Sequence, residues 1–225
     1  YGKTTDLTAM GGAQYVHTFD KCFFMPSDLT AGLEYNRDRL KDNMWGYDRH
    51  TDQTVNIYSA FLQNEWKNDR WGILIGGRLD KHNMVDNVIF SPRANLRFNP
   101  TQNINLRLSY SSGFRAPQAF DEDMHIENVG GTVAMIERAK NLKEEKSQSF
   151  SASADMYHRF GVFQTNFLIE GFYTRLTDVF VLGEPYDRGD GILVKTRSNG
   201  PGAKVMGLTL EGKVAYLSIL QIQAG

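Results

Sequence analysis

The chain has 225 residues, 23% of them charged, with a formal net charge of −1, a balance that leaves no electrostatic footprint for nucleic acid. A single cysteine, Cys22, excludes an internal disulfide framework and any Cys-based zinc site. The mean hydropathy is −0.43 and no apolar run is long enough for a membrane helix, but membrane-spanning strands meet lipid only at every second residue and keep that average low.

Taken in chain order, the dominant signal is alternation with period two. Gly12–Phe19 fits it loosely. Leu29, Ala31, Leu33 and Tyr35 then oppose Thr30, Gly32, Glu34 and Asn36. Gln53–Glu65 is again a loose fit, with faces that the pattern does not assign. A tight turn at Trp66–Arg70 is followed by a longer loop at Lys81–Phe90. In Ser91–Asn99 the residues Ala94, Leu96 and Phe98 oppose Arg93, Asn95 and Arg97, and the turn Asn99–Gln102 is tight. Ile104, Leu106, Leu108 and Tyr110 oppose Asn105, Arg107 and Ser109. Gly113–Glu145 is a very long connection, inside which Thr132–Leu142 reads as a short helix or irregular turn. Phe150, Ala152, Ala154 and Met156 oppose Ser149, Ser151, Ser153 and Asp155. After a tight turn at His158–Gly161 and a long connection at Leu182–Asp190, Met206, Leu208 and Leu210 oppose Gly207, Thr209 and Glu211.

The connections alternate short and long, as they do in up-and-down membrane barrels with short periplasmic turns and long outer loops. A soluble sandwich has no reason to alternate them. Aromatic residues gather at the tight turns (Trp66, Trp71, Phe98, Tyr157, Phe160 and Phe163), where a membrane–water interface would hold them. The expectation is an all-β, antiparallel, up-and-down transmembrane β-barrel of about ten strands, each near the roughly 9–11 residues that cross a bilayer. An open edge in lipid leaves backbone groups unsatisfied, so the strands form either a small complete barrel or part of a larger one. No signal peptide opens the chain at Tyr1, so the leader of an exported protein is expected elsewhere.

On this register Arg78, Arg93, Arg97, Arg107, Asp155 and Glu211 face the barrel lumen. Turning an Arg into lipid near the midplane would cost roughly 2–4 kcal/mol, which pins the register. In the long connection, Asp121, Glu122, Asp123, His125 and Glu127 are concentrated. Carboxylates suit hard cations, and neutral imidazole suits transition metals or haem iron. A solvated acidic loop is the plainer reading. Arg115 either binds an anionic ligand through its guanidinium fork or pairs locally and fixes the exit of the loop.

Five segments carry a family resemblance: Ile75–His82, Ser91–Pro100, Leu106–Pro117 with its Gly-Phe-Arg-Ala-Pro box, Asn141–Ser147, and Lys204–Glu211. In order and spacing they resemble the barrel domain of TonB-dependent outer-membrane receptors, and Phe120–Ile126 after the Arg-Ala-Pro resembles the receptors of the Bacteroidetes. Glu144 departs from the pattern, standing where the family commonly has Pro. The resemblance implies that residues 1–225 are part of a barrel of about 22 strands, with the plug domain and the final strands outside this chain. It implies a receptor in the bacterial outer membrane for active uptake of a scarce nutrient: a siderophore–iron chelate, haem or cobalamin. The implied partners are that small molecule, the chain's own N-terminal plug, the TonB complex and outer-membrane lipid. The lumen-facing set would contact the plug. Arg115, Asp121, Glu122, Asp123 and His125 would contact ligand. No cofactor, resident metal or catalysis is implied. Two alternatives stand beside this reading: an outer-membrane barrel hydrolase using Asp123 and His125, and a soluble carbohydrate-binding β-sandwich.

Overall fold

The computed structural model describes residues 2–47, 49–118, 127–129, 132–189, 191–217 and 219–225. A ten-stranded sheet dominates it. Its strands are β1 (Gly2–Cys22), β2 (Met25–Met44), β3 (Arg49–Lys67), β4 (Trp71–His82), β5 (Ile89–Thr101), β6 (Ile104–Arg115), β9 (Glu145–Phe160), β10 (Phe163–Thr177), β14 (Ala203–Tyr216) and β15 (Leu220–Ala224). Every neighbouring pair in this sheet is antiparallel. A second, five-stranded sheet is built inside the two longest connections from β7 (Glu127–Val129), β8 (Thr132–Arg138), β11 (Phe180–Leu182), β12 (Tyr186–Asp187) and β13 (Leu193–Asn199).

The tight turns all fall at one end of the large sheet. β1 and β2 are joined through Phe23 and Phe24, β3 and β4 through residues 68–70, and β9 and β10 through Gly161 and Val162. Gly161 has φ +59°, a conformation glycine adopts without the steric cost a Cβ would bring. The long connections leave the opposite end.

Cross-strand partners share a face, so the register assigns every side chain of the wall. On one face Leu33 lies beside Ala60, Leu62 beside Gly77, Ile75 beside Ala94, and Leu108 beside Ala152. This aliphatic face is uncovered: Leu108 is 54% exposed and Leu208 66%. Among the described residues no second sheet seals it, which removes the sandwich reading. Among the described residues the buried apolar cluster is small, Val85, Ile89 and Ala116 with Phe114 against it, as expected for a wall one sheet thick.

The aliphatic band has aromatic borders. At the turn end Trp71 stacks on Phe98 with centroids 4.2 Å apart, and Phe24 stacks on Trp66 at 5.6 Å. The Trp66 indole N–H donates to the Cys22 carbonyl at 3.0 Å. At the other border Tyr35 meets Tyr58 at 4.9 Å and Tyr110 meets Phe150 at 4.7 Å. From Phe163 to Tyr173 along β10 is ~33 Å of strand, which a tilt of about 40° reduces to the ~25 Å of an outer-membrane apolar band.

Two expectations are corrected. Thr132–Leu142 holds no helix: Thr132–Arg138 is β8, paired in parallel with β13, and Met135, only 3% exposed, is buried in the loop structure. Tyr157 is not in the aromatic border. It lies on the opposite face, where its hydroxyl donates to Asp155 at 2.8 Å.

Candidate functional site: the polar face and the loop-end pocket

The second face of the large sheet carries the charges. Arg78, Arg93, Arg97, Arg107, Asp155 and Glu211 all fall on it by register. Four of them, Arg78, Arg93, Arg97 and Asp155, are tied into a hydrogen-bonded lattice, and Leu168 lies across from both Asp155 and Glu211. Arg78 reaches Glu34 at 2.6 Å and Asp80 at 2.8 Å, and the Ser59 hydroxyl donates to Asp80 at 2.6 Å. Arg93 donates to Gln63. Arg97 donates to the carbonyls of Asn68 and Trp71 at the turn end. Asp155 accepts from Asn166 as well as from Tyr157. Hydroxyl pairs continue the lattice, Ser109 with Ser151 at 2.6 Å and Ser149 with Thr174 at 2.9 Å.

Two phenylalanines lie within this polar face, each over a glycine on the neighbouring strand. A Cβ on Gly32 would run into the Phe61 ring, and one on Gly207 would meet the Phe172 ring at 2.6 Å. An aromatic ring lying across a glycine on the next strand covers its backbone and helps pin strand register. Sequence reading missed both pairs, because the partners are far apart along the chain.

A depression of about 1050 Å³ is on the aliphatic face and offers no polar chemistry. The polar pocket is at the long-loop end. It measures about 770 Å³ and is lined by Arg49, His50, Arg138, Lys140 and Arg188, with Glu137 as its one acid among the described lining residues. Asp42 offsets one of these cations, holding Arg49 at 2.7 Å. The Arg138 guanidinium donates to Gln53 at 2.9 Å and to the Pro117 carbonyl at 3.1 Å. Arg138 therefore ties β8 to β3 and to the segment leaving β6. A pocket with this excess of cations suits an anionic, oxygen-rich ligand.

Next to the pocket, His82 is 1% exposed at the end of β4. The Met84 N–H donates to its Nδ1 at 3.0 Å, which places the ring proton on Nε2, facing the Gln118 Oε1 at 3.4 Å. Burial holds its pKa below the ordinary histidine value, against the opposing pull of Gln118 and Asp80.

Arg115 does not line this pocket. Its guanidinium sits over the Phe180 ring, 5.7 Å from the centroid. Glu145, its cross-strand partner, accepts the Phe180 N–H at 3.0 Å, so the pair stands at the root of the loop sheet. Asp121, Glu122, Asp123 and His125 lie outside the described residues.

The whole chain, residues 1–225, matches the family model described as TonB dependent receptor-like, beta-barrel. No curated protein matches it in sequence. Among solved structures it is similar to the siderophore receptor PirA of Pseudomonas aeruginosa (TM-score 0.73, 17% identity, 95% of this chain and 40% of that one). It is also similar to the ferric enterobactin receptor PfeA of the same organism in complex with enterobactin (TM-score 0.69, 19% identity, 97% and 34%). A third is the hemophore receptor HasR of Serratia marcescens with its hemophore HasA and heme (TM-score 0.74, 13% identity, 95% and 40%). The chain thus spans between 34% and 40% of the length of these structures, and at these identities the likeness is one of fold. A wall with one apolar face, one polar face and elaborated loops at a single end is the architecture this family uses in the bacterial outer membrane, and with its full length matched the chain belongs to the TonB-dependent receptor β-barrel family.

Proposed function

We propose that this chain is part of the barrel of a TonB-dependent transporter that takes up an anionic iron chelate or haem. The carrying observation is the two-faced register of the large sheet, aliphatic outside and hydrogen-bonded charge inside, topped at the loop end by a pocket rich in Arg and Lys. The edges of β1 and β15 would leave backbone groups unsatisfied in lipid, which favours a larger closed wall around these ten strands. In that wall Arg78, Arg93, Arg97, Arg107, Asp155 and Glu211 face the lumen and form a wet contact surface for an N-terminal plug. Ligand lodges among Arg138, Lys140 and Arg188. The acidic run with His125 supplies further contacts from the long loop, and Arg115 holds the root of that loop. The plug and the TonB complex would then drive transport, with no covalent chemistry in this chain.

Growth of a deletion strain tests the reading. Without the receptor, growth on a ferric siderophore or haem as sole iron source should fail, and the full-length gene should restore it in a TonB-dependent way. Arg138→Glu with Lys140→Glu should raise the half-saturating chelate concentration roughly tenfold. Unimpaired iron-limited growth of the deletion strain, or a requirement for cobalamin instead, would overturn the proposal.

A further inference from the structure

Just beyond the upper aromatic border, the outward face of the sheet carries a cluster of cations. Arg175 of β10 and Lys204 of β14 are directly opposite each other. Like charges in that arrangement are destabilising, yet among the described residues neither has an ion-pair partner. Lys146 of β9 stands on the same face beside them and pairs with Glu144 at 3.0 Å. Two residues down the strands, where Tyr173 pairs with Met206 and with Phe150, the apolar band begins.

The depression of the aliphatic face lies in that band, under the cations. Its floor is the cross-strand pair Ala152 and Gly171, and Leu108 and Leu208 flank it on the neighbouring strands. A Cβ on Gly171 would find nothing nearer than 3.9 Å, so the missing side chain leaves open volume in a face that meets hydrocarbon. A strand pitch of about 3.3 Å per residue puts the cations ~7 Å above the rim of this trough, the spacing at which a headgroup sits over its acyl chains.

We propose that this surface is a specific site for the phosphorylated glycolipid of the outer leaflet, with a lipid phosphate held by Arg175, Lys204 and Lys146 and an acyl chain lying over Ala152 and Gly171. Charge complementarity selects this occupant. An uncompensated cation pair at the level of lipid headgroups is satisfied by a phosphate, and the trough below it accepts only hydrocarbon. The lipid would add an anion to a wall that otherwise repels itself at this corner, stabilising the loop end where β11–β13 depart from β10.

The full-length receptor, in phosphatidylcholine nanodiscs titrated with diphosphoryl lipid A and read by native mass spectrometry, tests the site. Retention of the lipid should fall roughly tenfold in Arg175→Gln with Lys204→Gln. It should fall severalfold in Gly171→Leu, which fills the trough without a backbone clash. Dephosphorylated lipid A should bind the unaltered receptor as weakly as the diphosphoryl form binds the double variant, and inorganic phosphate should not compete at equal concentration. Heat-modifiable gel mobility verifies that each variant is folded. Unchanged retention in the double variant overturns the proposal. So does equal binding of dephosphorylated lipid, competition by free phosphate, or a receptor dimer occupying the face in place of lipid.

Discussion

Asp80 illustrates how a charge survives inside the wall. It is 3% exposed, and Ser59 and Arg78 both reach it within hydrogen-bond distance. Replacing Arg78 with Leu removes one donor from Asp80 and the partner of Glu34, so unfolding of the folded receptor should become easier by about 1–3 kcal/mol. Urea titration followed by gel mobility would measure it, and Glu34→Gln should cost less because Glu34 is much more exposed. His82 adds a pH dependence. Its folded pKa is depressed by burial, so its contribution is complete above the unfolded value near 6.5 and drains away as pH falls through the lower folded value. Protonation takes Nδ1 away from the Met84 N–H. The protection factor of the Met84 amide, which takes out the base-catalysed intrinsic rate, should therefore fall on acidification from pH 7.5 to 5.5, and that fall should vanish in His82→Ala.

At the scale of the strand, the two faces make opposite predictions for positions three residues apart. Leu108 is in the middle of the aliphatic band, and Arg there should block assembly, at a cost of roughly 2–4 kcal/mol. Asn105 is on the other face, directly across from Asp155. Arg at that position gains a carboxylate partner and should assemble normally. Yield of heat-modifiable barrel in the outer membrane separates the two, and equal damage would contradict the assignment of faces. The alternation that supports this was legible wherever the wall is regular, as in β5, β6, β9 and β14. It was not legible in β1 and β3, for two reasons. The polar face there takes in apolar side chains such as Val55, Ile57 and Phe61. The strands also run to 21 and 19 residues, well past the bilayer, so the outward face turns polar again, as it does at Arg37 and Arg39 in β2.

For the whole molecule, the distance between the aromatic borders sets the membrane it fits. Folding yield of the full-length receptor into synthetic vesicles should peak at a hydrocarbon thickness of about 25 Å and decline in thicker bilayers. A yield that ignores thickness would contradict the placement of the borders at Trp71 and Phe98 below and Tyr35 and Tyr58 above.

The period-two pattern, together with the alternation of short and long connections, determined an up-and-down wall of about ten strands, the lipid and polar faces of β2, β5, β6, β9 and β14, and the end from which the long loops leave. These follow from local facts: side chains alternate across a strand, and antiparallel neighbours are joined by short turns. The loop sheet was decided only by tertiary structure. Its parallel pairing sets Leu193 of β13 beside Ala134 of β8, partners too far apart in sequence for any periodic signal, and it made a strand where a short helix or irregular turn was expected. The cationic pocket has the same origin. Arg49, Arg138 and Arg188 come from three separate stretches, and only the folding of two long connections over the end of the wall brings them around one space.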